Sequence, residues 1–179
     1  MQDEELVQLL QNPAKKNEAF AILVKEYKVR LYWHIRNFVK IHEDADDVLQ
    51  NVFVKVFKNI DKFKGESKLY SWMYRIASNE SITFLNKKAK KLKISNEEIQ
   101  DYIINNLESD VYFEGDEIQL KLQKAIATLP EKQRITFNMK YFQEMKYREM
   151  AEILNTSIGA LKSNYHHAVN KIEDYLKNN

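Results

Sequence analysis

The sequence of 179 residues contains no cysteine, only three glycines and only two prolines. The absence of cysteine excludes disulfide bonds, thiolate nucleophiles and thiolate metal ligands, and it is compatible with a reducing compartment. Because glycine and proline mark tight turns, their scarcity favours connected helices over a turn-rich sheet protein. With 44% apolar and 30% charged residues, the composition predicts an all-α protein of one large or two small domains.

Long apolar runs are missing as well. The longest run, Ala19–Val24, has six residues, whereas a membrane-spanning helix needs about 20. The first ten residues, MQDEELVQLL, are acidic, although a signal peptide would begin with basic residues. We therefore predict a cytoplasmic protein with no membrane insertion.

Sequence motifs of common enzymes are also absent. The chain has no glycine-rich phosphate loop, no HExxH metal pair and no GxSxG turn, so an enzyme is the weakest interpretation. His166 and His167 are adjacent, and neighbouring side chains on a helix point about 100° apart. No cysteine or acidic ligand is near them in sequence, so we predict neither a metal site nor a cofactor.

The charged residues that are present are strongly segregated. Residues 54–93 hold 11 basic and 3 acidic side chains, whereas residues 94–119 hold 8 acidic and no basic ones. Residues 120–179 are basic again, with 10 basic and 6 acidic side chains. Since the acidic stretch has no long regular apolar period, it predicts a linker over 95–116 between domains at 1–94 and 117–179.

A polar patch lies on one of the helices predicted in the first domain. Helical periodicity predicts helices over about 16–40 and 44–60, the second with Asp44 as its N-cap. Helical spacing places Asp44, Asp47 and Asn51 on one side, with Gln50 adjacent. We call these four residues the docking patch. The pattern alone allows either capping and helix-dipole stabilisation or docking of a basic or amide-rich partner.

The run from Phe63 to Asn79, FKGESKLYSWMYRIASN, interleaves aromatic and cationic residues. Unpaired bases stack on flat side chains and phosphates bind cations, so this run is typical of a single-stranded nucleic-acid surface. Gly65 permits a tight turn and Ser67 can cap the next helix. Core packing is the alternative, favoured for Trp72 and open for the other aromatic residues. The relevant aromatic and cationic side chains are Phe63, Tyr70, Trp72, Tyr74, Lys64, Lys68 and Arg75.

The second domain contains a helix-turn-helix pattern. Helices are predicted over about 117–128 and 131–141, followed by a short helix, a turn capped by Ser157 and a longer last helix. The last helix has one apolar face, and its other faces carry groups that can donate to bases and phosphates. These candidate DNA-binding groups include Lys162, Ser163 and His166.

Two ordered motifs resemble a known family. DADDVLQNVFVKVFKNIDKFKGESKLYSWMYRIASN is similar to the second conserved region of bacterial RNA polymerase sigma factors of the extracytoplasmic-function (ECF) group. LPEKQRITFNMKYFQEMKYREMAEILNTSIGALKSNYHHA resembles the fourth conserved region of the same factors. The resemblance implies a non-enzymatic initiation factor that binds core RNA polymerase, directs it to promoters and helps to open the minus-ten DNA. It also implies an anti-sigma factor as a partner.

The resemblance assigns a role to each motif. The docking patch would bind the clamp helices of the largest catalytic subunit. Residues 63–68, which we call the capture loop, would hold a flipped base of the minus-ten element. In this assignment the minus-ten residues are Phe63, Lys64, Gly65, Glu66, Ser67, Lys68, Tyr70, Tyr74, Arg75 and Asn79. The residues expected at the minus-thirty-five element, which we call the reading face, are Lys146, Arg148, Ser157, Lys162, Ser163 and His166.

Two positions depart from the family pattern. Asn155 replaces the usual glycine of the turn, and asparagine tolerates the left-handed conformation needed there. Asn164 stands where arginine is common, so the minus-thirty-five sequence does not follow from the motif. The alternative function is a stand-alone two-domain regulator that binds DNA but does not dock on polymerase. Such a regulator needs neither the docking patch nor the capture loop.

Overall fold

A computed structural model describes residues 1–107 and 117–179, so residues 108–116 of the predicted linker lie outside the described residues. Within the described ranges the chain forms α-helices and no strand, which confirms the all-α prediction. The helices are α1 (Asp3–Leu10), α2 (Lys16–Val39), α3 (His42–Asn59), α4 (Leu69–Leu92), α5 (Glu98–Leu107), α6 (Glu117–Ala127), α7 (Glu131–Phe137), α8 (Tyr147–Leu154) and α9 (Ile158–Asn178).

Helices α2, α3 and α4 pack against one another, and α1 packs on α2. Each contributes one apolar stripe, because buried positions recur every three or four residues. On α3 the stripe is Val48, Val52 and Val56, which are at most 1% exposed. On α2, Leu23, Tyr27, Leu31 and Ile35 are buried. The bundle therefore forms around apolar positions that recur at helical spacing.

The capture loop connects α3 to α4 after a short 3₁₀ segment, Ile60–Lys62. Gly65 has a φ of 72°, so the predicted tight turn is confirmed. The Gln11 side chain donates hydrogen bonds to the carbonyls of Ile60 and Phe63, at 3.1 and 2.9 Å. These bonds tie the start of the loop to the segment that follows α1.

Two predicted helix caps were wrong. Helix α3 begins at His42, so Asp44 lies inside its first turn and Ile41 holds the N-cap position. Helix α4 begins at Leu69 after Lys68, and no side chain caps it. The Ser67 hydroxyl instead donates to the carbonyl of Lys68 at 3.4 Å. Helix α4 begins at the buried Leu69, so packing of its apolar stripe accounts for that start.

The described part of the predicted acidic linker contains a packed helix. Ser95 and Glu98 form a reciprocal capping box at the start of α5: Glu98 N donates to Ser95 Oγ at 3.0 Å and Ser95 N donates to the Glu98 carboxylate at 2.7 Å. Ile99 and Ile103 are 2% and 1% exposed and join the core of the bundle. Residues 98–107 are therefore anchored on the first domain and do not form a free tether.

The second domain, α6 to α9, has a small core of its own. Its buried residues are Ala125, Ile126, Leu129, Phe137, Ala168 and Ile172. Helix α7 continues into a π-helical segment, Asn138–Phe142. Helices α8 and α9 are joined by a turn in which Asn155 has the left-handed φ of 51° that was predicted for it.

The two domains are packed together. Apolar side chains of the second domain complete the large core of the first: Ile135, Met139, Met145, Met150, Ile153 and Leu161. Polar contacts cross the same interface, where the Asn138 amide donates to the carbonyl of Asn37 at 3.1 Å and His34 meets Gln143 at 2.8 Å. The sequence predicted two domains joined by a linker, and it did not predict this contact between them.

Candidate nucleic-acid interface

The docking patch lies on the first three turns of α3. Asp47, Gln50 and Asn51 are exposed, because the opposite side of the helix is fixed in the core by Ala45, Val48 and Val52. The acidic groups lie at the N-terminal end of the helix, where the dipole stabilises negative charge. Three side chains therefore present acceptors to solvent from a rigid helix.

Asp44 differs from the rest of the patch. Its carboxylate forms an ion pair with the Lys88 ammonium group of α4, and both side chains are about four-fifths buried. The pair links α3 to the basic end of α4 and leaves Asp44 less free than Asp47 to meet a partner. The sequence could not indicate this contact because the two residues are 44 positions apart.

The capture loop forms one wall of an open groove. The Phe63 and Trp72 rings lie with their centroids 5.2 Å apart and are tilted by 47°. Both rings are partly buried, so each packs on the core while one part of it faces the groove. Three cations, two carboxylates and a hydroxyl group surround them; the groove is lined by Lys62, Phe63, Lys64, Glu66, Ser67, Trp72, Arg75 and Glu152. Flat rings beside cations can accept a base and its phosphate.

Tyr74 does not belong to this accessible surface. It is 5% exposed, and its ring centroid lies 4.5 Å from that of the buried His34. Burial raises the pKa of the Tyr74 hydroxyl. Tyr74 therefore packs in the core between α2 and α4, and its predicted contact with DNA stays a prediction.

Tyr70 lies one turn before Tyr74 and is half-buried. The guanidinium of Arg30 lies 5.4 Å from the Tyr70 ring centroid, a cation–π arrangement. Burial, reinforced by a hydrogen bond to Glu149, raises the pKa of Tyr70 to about 12. Arg30 was not predicted as a site residue, since its partners on α4 are distant in sequence and only folding brings them together.

Arg75 and Asn79 are exposed on the outer side of α4. The Arg75 guanidinium donates to the backbone carbonyls of Ile153, at 3.3 Å, and Glu152. These carbonyls belong to the last turn of α8, where acceptors lack intrahelical partners and the helix dipole favours a cation. Arg75 is therefore occupied by the second domain, whereas the structure leaves Asn79 at the surface.

The reading face is largely accessible. Lys162, Ser163 and His166 are exposed on α9, since Leu161, Ala168 and Ile172 hold the other side of the helix in contact with the core. Lys146 and Arg148, at the start of α8, are exposed as well. Exposed donors on α9 with cations at the neighbouring helix start can reach base edges and phosphates.

Ser157 has a structural task within the predicted reading face. Its hydroxyl accepts a hydrogen bond from the backbone N–H of Ala160 at 3.2 Å, which confirms the predicted cap of α9. The Ser157 side-chain oxygen is therefore already hydrogen-bonded to a backbone N–H group. The Ser157 side chain therefore fixes the start of α9.

His34 lies fully buried between the two domains. Its Nε2 is 2.8 Å from the Ser78 hydroxyl, which itself donates to the carbonyl of Tyr74, so Nε2 carries the proton. Burial lowers the pKa of His34 to about 4 and keeps the ring neutral at neutral pH. The other ring nitrogen, Nδ1, lies 2.8 Å from the side-chain oxygen of Gln143. With the proton on Nε2 both of these atoms are acceptors, so the Gln143 amide has to turn over before it can donate to the ring.

Among residues 1–107 and 117–179, no cluster of histidine and acidic side chains could hold a metal ion. In the same part of the chain, no helix is both long and apolar enough to cross a membrane.

Comparison with known proteins identifies two matched regions. The family model described as "Sigma-70 region 2" matches residues 23–91, and the model described as "Sigma-70, region 4" matches residues 119–172. The first match includes the docking patch and the capture loop, and the second includes the helix-turn-helix. More than half of the chain is therefore matched, in the order that the motifs suggest.

Similar full-length proteins agree with this division. The RNA polymerase sigma-H factor of Pseudomonas aeruginosa is 28% identical, over 98% of this chain and 94% of that protein. The ECF RNA polymerase sigma-E factor of Haemophilus influenzae is 28% identical, over 98% of this chain and 95% of that protein. A solved structure of sigma factor RpoE with the anti-sigma factor NepR, from Bartonella quintana, has a TM-score of 0.65 at 20% identity. The structural alignment covers 88% of this chain and 96% of the RpoE chain.

Proposed function

Because this chain belongs to the ECF group of the sigma-70 family of RNA polymerase sigma factors, we propose which of its surfaces carries out each step of transcription initiation. The protein is an alternative sigma factor that binds core RNA polymerase and directs it to promoters. The observation that carries the assignment is the order of the docking patch, the capture loop and the helix-turn-helix along one chain. A stand-alone regulator would need only the last of these.

We assign core polymerase binding to the docking patch. Asp47, Gln50 and Asn51 are exposed on a helix whose other side is buried, so they can meet a basic or amide-rich surface without moving. Asp44 contributes by anchoring Lys88. A rigid acceptor array of this kind needs little ordering when the partner binds.

We assign minus-ten recognition to the capture loop and to the outer side of α4. Extrusion of a base from the stack costs a few kcal/mol, and stacking on an aromatic ring recovers about 1–3 kcal/mol. The Phe63 and Trp72 pair lies beside Lys64 and Arg75 in one groove. Asn79 is exposed one turn beyond Arg75 on α4 and can contact the same element.

We assign minus-thirty-five recognition to the reading face. Lys162, Ser163 and His166 project from α9, which the helix-turn-helix would insert in the major groove. Lys146 and Arg148 would hold the DNA backbone, and Ser157 would fix the helix start. The separation of base-reading groups on α9 from cations on α8 matches the usual division between specificity and positioning.

The remaining assignments follow from the family. We propose that the factor acts in the cytoplasm, where core polymerase lies, that it catalyses no reaction itself and that an anti-sigma factor holds it inactive. The solved relative from Bartonella quintana was captured with such a partner.

The test is binding of the purified chain to core RNA polymerase, followed by transcription from a genomic-fragment library with and without it. Saturable one-to-one binding with new start sites is the expected result, and the new start sites would supply the promoter motif. Failure to bind core polymerase, together with specific binding to duplex DNA, would overturn the proposal in favour of a stand-alone regulator.

A further inference from the structure

The base of the capture loop is held by the segment that joins α1 to α2. The side-chain amide nitrogen of Gln11, at the end of α1, donates to the carbonyls of Ile60 and Phe63 at 3.1 and 2.9 Å. Phe63 is the residue whose ring lies beside that of Trp72 in the groove. One amide group therefore fixes the backbone from which the Phe63 ring projects.

An ion pair forms a second tie between the same two segments. The Lys16 ammonium group, at the start of α2, lies 2.9 Å from the carboxylate of Asp61 in the 3₁₀ segment before the loop. The same nitrogen lies 4.7 Å from the ring centroid of Phe57, a cation–π arrangement. Because the Asp61 side chain is 58% exposed, water screens this pair, and we expect it to contribute less than the Gln11 hydrogen bonds.

The segment that supplies these donors is itself fixed on the bundle. Leu6 and Leu10 of α1 are at most 1% exposed, so the helix is anchored in the core. The turn that follows is closed by Asn12, whose side-chain oxygen accepts a hydrogen bond from the Ala14 N–H at 3.0 Å. The amide and the ammonium group therefore act on the loop from a rigid support.

The tip of the capture loop, in contrast, is open to solvent. Lys64, Gly65 and Glu66 are exposed. A Cβ added at Gly65 would meet no atom from elsewhere in the described part of the chain within 4 Å. Ser67 does not cap the next helix, since its hydroxyl donates to the carbonyl of Lys68. A loop with an exposed tip depends on the contacts at its base to keep its side chains in place.

We propose that Gln11 and Lys16, which we call the brace, are positioning residues for base capture. The inference rests on the proposed function, because it takes the capture loop to hold a flipped base. The brace does not touch DNA; it holds the loop backbone in the shape that the base enters. Such preorganisation lowers the free-energy cost of ordering the loop when the base binds.

The first experiment measures promoter opening by core polymerase with the chain bound, using promoters that carry an abasic site at each minus-ten position in turn. The position at which the original chain loses most opening marks the captured base. Gln11→Met removes both hydrogen bonds and keeps the length of the side chain, so opening of the intact promoter should fall by about tenfold. On the promoter that lacks the captured base, the variant and the original chain should open DNA equally.

The matched control is Gln8→Met, at an exposed position of α1, which should open every promoter like the original chain. A loss for Gln11→Met that is equal on intact and abasic promoters would show that Gln11 supports the fold alone, and the proposal would be wrong. Full opening of the intact promoter by Gln11→Met would also overturn it.

A second pair of variants tests the ion pair. Lys16→Met removes the ammonium group and keeps an apolar side chain, so opening of the intact promoter should fall by about threefold. Lys15→Met removes the same charge at an exposed neighbouring position and reports any general loss of attraction to DNA. High salt should reduce the difference between the two variants, because it screens a partly exposed pair. Equal losses in both variants would contradict the role of Lys16.

Hydrogen exchange in the free protein separates failure of the brace from failure of the proposed function. The Phe63 N–H donates to the carbonyl of Ile60 at 3.1 Å, so its exchange reports order at the base of the loop. In Gln11→Met, residues 60–68 should exchange faster, whereas residues 48–56 of α3 should not change. If the chain does not bind polymerase, the function fails and this measurement still tests the brace. Normal polymerase binding with unchanged exchange over residues 60–68 would make the brace alone wrong.

Discussion

The docking patch and the proposed minus-ten surface, formed by the capture loop and the outer side of α4, belong to the same helical bundle. The second domain contacts part of the minus-ten surface and leaves the docking patch exposed. Asp47, Gln50 and Asn51 on α3 are exposed. On α4, Arg75 donates to carbonyls of α8, and Tyr74 lies in the core. The difference shows that one proposed binding surface is open to solvent while part of the other is covered by α8.

The largest expected effect concerns Tyr74, whose burial separates it from the exposed residues of α4. Tyr74→Ala should lower the free energy of unfolding by about 3–5 kcal/mol, because it leaves a cavity beside His34. Chemical denaturation measures this loss. Tyr70→Ala, one turn earlier and only half-buried, is the matched control and should cost less. If Tyr74→Ala instead left stability unchanged and abolished promoter opening, Tyr74 would be a DNA contact. The contrast between a buried Tyr74 and the exposed residues of α4 would then be wrong.

The next prediction tests the docking patch, which is the exposed one of the two surfaces. Asp47→Arg should weaken binding to core polymerase by about 100-fold, since it replaces an acceptor with a repelling cation in the proposed interface. Glu18→Arg makes the same charge change at an exposed position of α2 and should bind normally. Affinity is measured by titration against labelled core enzyme. Unchanged affinity of the Asp47 variant, with an unchanged circular dichroism spectrum, would remove the docking assignment.

A smaller effect is expected at Asn79, which is exposed on α4. Asn79→Ala removes one polar side chain from the proposed minus-ten surface, so promoter opening should fall by about tenfold, within the usual range for a base contact. Permanganate footprinting measures the opened bases. Alteration of the minus-thirty-five element should reduce promoter opening by the same ratio for the original protein and for Asn79→Ala. An equal shift in preference at both elements would contradict the division between α4 and α9.

The sequence predicted what depends on local periodicity and ordered motifs. The all-α fold, the helices near α2, α3, α6 and α9, the Gly65 turn and the Ser157 cap all follow from patterns within a few residues of each other. The Asp44–Lys88 pair, the burial of Tyr74 against His34 and the bonds of Arg75 to α8 do not. Each joins positions that are 40 or more residues apart, and their meeting depends on how the helices cross.

The smallest effect separates structure from recognition within the reading face. Because the Ser157 hydroxyl caps α9, Ser157→Ala should cost about 1 kcal/mol of stability and leave the preferred minus-thirty-five sequence unchanged. Ser157→Asp restores an acceptor at the cap and should recover the stability, although its charge would repel phosphates. Ser163→Ala, on the exposed side of α9, should do the reverse, with stability retained and sequence preference altered. Selection from randomised minus-thirty-five elements distinguishes the two variants, and a changed preference in Ser157→Ala would show that the cap also reads DNA.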